Sequence, residues 1–309
     1  MTTPHELPIE EWLRAARVHA AGCVGWFAAA LYAAPLHLSD ALPTLAAIDR
    51  HGRVYFNPHW VARLYEACGH DRHQLVRQLA HVWYHEVAHW LRAHAERAEA
   101  IRADAQLWNL AADLEVNDYL PDGMAYPSLE GKPIALLPRR FNLPDGEIAE
   151  WYYQRLVEQA QAQAQSGGQQ QQAQAGGQQQ QAQAGGQQQQ AQAGGQQQAQ
   201  AGGQQPPPAG SPCPQGEPSL GGSPREAGGT SRRGAGASQA DQGGMEWDEG
   251  SGVHGQARPW ELPADDPSTN ALSDFDRKLL QEETARRIVE EHQKNRGTMP
   301  AGWLRWAEA

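Results

Sequence analysis

The stretch that decides the reading runs Arg72-His73-Gln74-Leu75-Val76-Arg77-Gln78-Leu79-Ala80-His81-Val82-Trp83-Tyr84-His85-Glu86-Val87-Ala88-His89-Trp90-Leu91-Arg92-Ala93-His94-Ala95-Glu96-Arg97. It holds no Pro or Gly, and Leu75, Leu79, Val82, Val87 and Leu91 recur at helical spacing, so it predicts one helix from about Arg72 to Arg97. On that helix His85 and His89 lie one turn apart on one face, where both imidazoles can point at a single ion. Glu86 lies beside them, so its carboxylate can reach a metal-bound water without occupying the metal, as a general base must. The bland alternative is an amphipathic helix that carries solvated histidines. The motif alone is moderately specific; its setting, behind a hairpin and before a helix rich in carboxylates, sharpens it.

A catalytic zinc needs a third protein ligand and an open position. Trp108-Asn109-Leu110-Ala111-Ala112-Asp113-Leu114-Glu115-Val116-Asn117-Asp118 offers one. Asn109, Asp113 and Asn117 share a helical face, and Asp113, behind the small Ala111 and Ala112, is the carboxylate best placed for close approach. Its bland reading is an Asp hydrogen-bonded within its own helix. Glu115, about 200° round the helix, is the second choice, and His94 would be displaced by about 140° from His89 on a continuous helix. With no Gly to turn the chain there, His94 is expected behind the site or on the surface. His81, one turn before His85, reads as an ordinary helical histidine. Tyr84, Tyr119 and His94 are candidates for stabilising an oxyanion, with none singled out.

Working outward, Glu10 to about Ala34 reads as one long helix. Thr44–Ile48 and Val54–Phe56 read as strands of a hairpin with Gly52 in its turn. A short helix through Trp60 and Leu64 ends at Gly69, Asp71 caps the metal-motif helix, and a further helix spans about Ala103 to Leu120. Asp145 is expected to cap a helix from Ile148 to about Glu158. Ser273 is expected to begin a helix that stops at Gly297. Between these blocks lies a repeat of the type Ala-Gln-Ala-Gly-Gly-Gln-Gln-Gln-Gln, and Gln159 to Gly216 contains no charged residue. Such a repeat cannot bury a core and is expected to be a disordered linker. The expected organisation is therefore a domain over 1–158, a linker over 159–250 and a C-terminal helical segment over 251–309, in the α+β class with a mainly helical core and a small hairpin or sheet. Deleting Gln159 to Gly216 should leave the fold and site intact; a large drop in melting temperature would show that the repeat is structural.

The 309 residues carry a formal net charge of -11, which argues against a nucleic-acid surface. Cys23, Cys68 and Cys213 are scattered, so a disulfide framework is not expected and a reducing compartment fits. The start, Met1-Thr2-Thr3-Pro4-His5-Glu6, lacks the regions of a signal peptide, and a cytoplasmic location is expected. Arg17 to Asp40 has no charged residue between its ends, but this Ala-rich run with His19, two Gly and Pro35 is weakly apolar and reads as a buried helix rather than a membrane span.

Taken together, the chain resembles the metallopeptidase domain of bacterial proteins that usually continue into a von Willebrand factor A-like domain. The matching residues are Arg53-Val54-Tyr55-Phe56-Asn57-Pro58, the His85–His89 motif with His94 and Arg97 after it, Trp108 to Asn117, Leu143-Pro144-Asp145-Gly146 with Trp151-Tyr152-Tyr153, and Arg258-Pro259-Trp260-Glu261. The resemblance implies a zincin-like helix and hairpin core, Asp113 as third zinc ligand, and a MoxR-type AAA+ ATPase as partner. The sequence stops after Trp306-Ala307-Glu308-Ala309, where the von Willebrand factor A-like part would be expected to begin. The function expected is zinc-dependent hydrolysis of a protein or peptide, with Glu86 as base and an extended substrate added to the hairpin edge at Val54–Phe56. The competing expectation is a zinc-stabilised scaffold that recruits partners through its C-terminal helix and aromatic tail.

Overall fold

The computed structural model describes residues 7–164, 250–264, 269–295 and 299–309. The Gln-rich repeat and the rest of the expected linker over 165–249, with Cys213, lie outside the described residues, as does the expected helix stop at Gly297. The chain is mostly helical with a small sheet, the α+β arrangement expected. Its described residues before 160 and after 249 belong to one compact unit.

The expected long first helix is broken. Helix α1 spans Ile9–Cys23, a 3-10 turn follows at Gly25–Phe27, and α2 spans Ala28–Ala33. Val24, with φ -125° and ψ 67°, leaves helical geometry between Gly22 and Gly25, residues that weaken a helix through their backbone freedom. The break turns Phe27 into the core, where it is fully buried. No helix of the described residues is long and apolar enough to cross a membrane.

Strands β1 (Leu36–Leu38), β2 (Ala46–Ile48) and β3 (Val54–Phe56) form a sheet of order β1-β3-β2. The β2–β3 pair is the expected antiparallel hairpin, with Ala46 opposite Phe56 and Ile48 opposite Val54, and Gly52 takes φ +71° in its turn. Strand β1 was not expected; it pairs in parallel with the other side of β3. Val54–Phe56 is therefore the central strand, and the substrate edge expected there is closed by β1. β1 and β2 are the outer strands of the three.

Helix α3 spans Pro58–Ala67, and α4 spans Arg72–Leu91 with Asp71 accepting from the backbone N–H groups of His73 and Gln74 at 2.8 and 3.3 Å. From Gln78 to Leu91 every α4 residue is buried, so its histidines are interior groups and not solvated ones. Contrary to the sequence expectation, the helix does not run on to Arg97. Ala93 takes a left-handed conformation (φ 55°) without being Gly, and α5 (His94–Ile101) starts in a new direction. The strain of a left-handed Ala is of order 1 kcal/mol and is met by the burial of His94 and Ala95.

Helix α6 spans Ala105–Asn117, capped by Asp104. The last helix of the block, α7, runs over 149–164 and is not capped by Asp145. Its first N–H, that of Ala149, donates to the Glu115 carboxylate at 2.8 Å instead, placing a negative charge at a helix N-terminus where the backbone dipole favours it. A small hairpin, β4 (Ser128–Leu129) with β5 (Lys132–Pro133), lies between α6 and α7.

The C-terminal segment packs into this unit. Helix α8 (Ser251–His254) approaches β2 so closely that a Cβ at Gly250 would lie 2.5 Å from the Ile48 carbonyl oxygen. The buried Arg53 pairs with Asp49 at 2.5 Å and donates to the carbonyls of Leu262 and Pro263 at 2.6 and 2.9 Å. Helix α9 (Asp274–Lys294) opens with a capping box between Ser273 and Asp276. Helix α10 (Ala301–Glu308) carries the aromatic tail, and its Trp303 is buried, with its indole N–H on the Tyr84 hydroxyl at 2.6 Å and Arg92 stacked 4.1 Å from its ring. That ring is spent inside the chain's own core, whereas Phe275 and Leu279 on α9 are exposed. Trp303→Ala should cost about 3–5 kcal/mol in urea unfolding; a cost below about 1 kcal/mol would show that the tail is not part of the core.

Candidate metal centre

Two helices build the site. Helix α4 supplies His85 and His89, whose Nε2 atoms lie 3.0 Å apart, and α6 brings the Asp113 Oδ1 atom to 3.5 and 3.4 Å from them. All three side chains are buried or nearly so. No other such cluster of possible metal ligands occurs among the described residues.

The outer partners fix which atoms face the centre. His85 Nδ1 lies 3.0 Å from Asn117 Oδ1, an acceptor only, so this nitrogen donates and Nε2 keeps a lone pair. His94 Nε2 lies 3.2 Å from the Glu115 carboxylate, so it donates there and its Nδ1 accepts from His89 Nδ1 at 2.7 Å. His89 Nε2 is then also a lone pair. Two imidazole lone pairs and a carboxylate oxygen with no hydrogen-bond donor converge on one buried point. Either a shared proton or a cation must sit among like partial charges in so dry a place. Burial by itself raises the Asp113 pKa, but the hydrogen bonds and positive charge that His85 and His89 offer it once protonated outweigh this and bring it down to about 2. A divalent ion satisfies all three atoms at once, and two imidazoles with one carboxylate are a donor set that suits zinc.

Glu115, the alternative third ligand, is turned away from the pair. Its buried carboxylate meets Arg92, Arg97 at 2.9 Å, His94 and the Ala149 N–H. Burial raises its pKa, but the two arginines and His94 outweigh this and hold it well below the usual carboxylate range. The charge anchors His94, which in turn orients His89. His94 therefore lies directly behind the site; sequence reasoning put it there or on the surface, and missed the chain turn at Ala93 that brings it in.

Glu86 is buried and lines a cavity of about 50 Å³ together with His85 and Asp113. One wall is β2 and the residues before it, Thr44, Leu45 and Ala46. Val82 from α4 and Pro127, Ile134 and Ala135 from the β4–β5 region complete the apolar lining. His81, read from the sequence as an ordinary helical histidine, also lines it and is 2% exposed. The signal that could have found it was its place one turn before His85 on the same face. Tyr84, Tyr119 and His94 do not line the cavity.

Burial lowers the pKa of His81 to about 3, of His89 to about 4 and of His94 to about 3. In the unfolded chain these rings protonate near 6.5, so between pH 6.5 and about 4 the unfolded state binds more protons than the folded one. Their contribution to stability is present above pH 6.5 and is lost as the pH falls through that window, at up to about 4 kcal/mol per pH unit with all three acting. Denaturant melts of the metal-free protein should show this fall. A midpoint constant from pH 7 to 4.5 would mean that the rings are not buried.

The fold and this cluster define a helical chain whose His-Glu-x-x-His segment meets a carboxylate from a second helix. A family model described as "putative metallopeptidase domain" matches residues 10–243, and the chain belongs to that family. No curated protein and no solved structure matches the chain.

Proposed function

We propose that this chain is a zinc-dependent peptidase in which His85, His89 and Asp113 hold the ion and Glu86 is the general base. The observation that carries the reading is the convergence of three buried acceptors, the two imidazoles each oriented by a partner of its own, beside a carboxylate that lines the adjoining cavity. A zinc ion there would polarise a peptide carbonyl and make water acidic enough to give up a proton near neutral pH. Glu86 accepts that proton and passes it to the leaving amine. Asn117 holds His85, while Glu115 acts through His94 to hold His89, so neither imidazole turns when substrate enters. The substrate backbone is placed along the outer strand β2 near Leu45 and Ala46, which line the cavity as no residue of β3 does. Action alongside a MoxR-type ATPase is also part of the proposal, on the family resemblance alone, and a cytoplasmic location on the scattered cysteines.

The experiment is metal analysis of the purified protein joined to cleavage of a peptide library by wild type and Glu86→Gln. About one zinc per chain with cleavage by wild type only supports the peptidase. Zinc in both with cleavage by neither would leave the scaffold, and absence of zinc would remove both readings.

A further inference from the structure

Most polar groups around the cavity already have a task. Thr44 donates its hydroxyl to the Ala46 carbonyl at 2.9 Å, and Asn117 accepts from His85. His81 differs, because its Nε2 is buried without a hydrogen-bond partner. Leaving such a group unpaired costs about 1–3 kcal/mol, which Leu or Met at this position would avoid. The Tyr126 ring, 4.8 Å away and edge-on, fixes the imidazole in place. Its centroid lies 6.1 Å from that of His85, one turn further from His89 along α4. An extended chain rises about 3.3 Å per residue, so this distance suits the side chain of a residue next to the bond being cut.

The remaining lining is apolar: Leu45, Val82, Pro127, Ile134 and Ala135. A volume of about 50 Å³, against about 10–15 Å³ for one water, admits about four non-hydrogen atoms. That is the size of Asn or Leu, or with a little room Thr or Val.

We propose that His81 is the specificity-determining residue of the site, hydrogen-bonding a small uncharged polar side chain, Asn or Thr, on the substrate residue that flanks the scissile bond. The inference rests on the peptidase reading and adds the class of substrate to it. Apolar walls alone distinguish isosteres of this size poorly, whereas a site with a buried polar group rejects the analogue that leaves the group unpaired. Asn and Thr can each donate and accept, so they satisfy the imidazole nitrogen in either tautomer.

The test uses the full chain loaded with zinc and quenched-fluorescence peptides that differ only at the flanking residues, as the pairs Asn/Leu and Thr/Val. Wild type should prefer Asn to Leu and Thr to Val by at least about 10-fold in kcat/KM. His81→Leu should reverse both preferences with zinc content unchanged, and His81→Gln should retain them. Each ratio is taken within one preparation, so partial unfolding of a variant does not move it. A wild-type preference for Leu and Val, or ratios unaltered in His81→Leu, overturns the inference and leaves the peptidase standing. Should no peptide be cut, peptide hydroxamates with the same four side chains are titrated by calorimetry. Tighter binding of the Asn and Thr compounds supports the assignment, and equal binding overturns it. Absence of any binding overturns the peptidase reading and this inference with it.

Discussion

Glu86→Gln is expected to lower peptide turnover by about 10²–10⁴-fold, the usual range for a general base, while the protein keeps its metal. The amide is isosteric, so the packing of α4 is retained, and Glu86 is outside the cluster of His85, His89 and Asp113. On the proposed mechanism, what is lost is the group that takes a proton from water and gives it to the amine. The loss should fall mainly in kcat, since the proton transfer is made in the transition state and not in ground-state binding. The check is steady-state kinetics with zinc measured on the same samples. Turnover within about 3-fold of wild type, well short of the range for a lost base, would remove Glu86 from the chemistry.

The second large effect concerns the ligands. His85→Ala or His89→Ala should abolish stoichiometric zinc, because the two imidazoles supply most of the donor set. Asp113→Asn should weaken zinc binding strongly, by at least about 10–100-fold, since an amide is a poorer ligand than a carboxylate and leaves the ion's charge less compensated. Glu115→Gln should act differently. Its carboxylate answers Arg92, Arg97 and His94, so its loss leaves buried positive charge unpaired and lowers stability by about 3–5 kcal/mol. Competition with a chromogenic chelator, alongside urea unfolding, separates the two. Normal zinc affinity in Asp113→Asn with loss in folded Glu115→Gln would make Glu115 the third ligand.

Much of the fold was legible because local signals and burial agree. The helix carrying His85 and His89 lacks breakers and starts at an Asp cap, and the β2–β3 hairpin has Gly where its turn needs positive φ. The choice of Asp113 over Glu115 as the residue nearest the two histidines was also readable, since Asn109, Asp113 and Asn117 share one face of α6 and small residues precede Asp113. Other features were not readable. Nothing in Leu36-His37-Leu38 by itself marks a strand, and its pairing with β3 is a long-range choice that changes which edge is open. The scaffold alternative draws on the C-terminal helix and the aromatic tail, and of these Trp303 meets Tyr84 only because α10 packs back on the core.

The sequence by itself determined the elements whose information is local: a helix with two imidazoles on one face, an adjacent carboxylate, and a second helix bearing Asp113. Helical periodicity sets those positions whatever surrounds them. Only the tertiary structure decided what each side chain meets. The left-handed turn at Ala93, unfavourable for a residue other than Gly, persists because His94 gains His89 and Glu115 as partners across three helices. The same holds for His81, which lines a cavity with its Nε2 unpaired once β2 and the β4–β5 region are in place. Spacing along one helix fixes direction, but burial and hydrogen-bond satisfaction depend on neighbours distant in the chain.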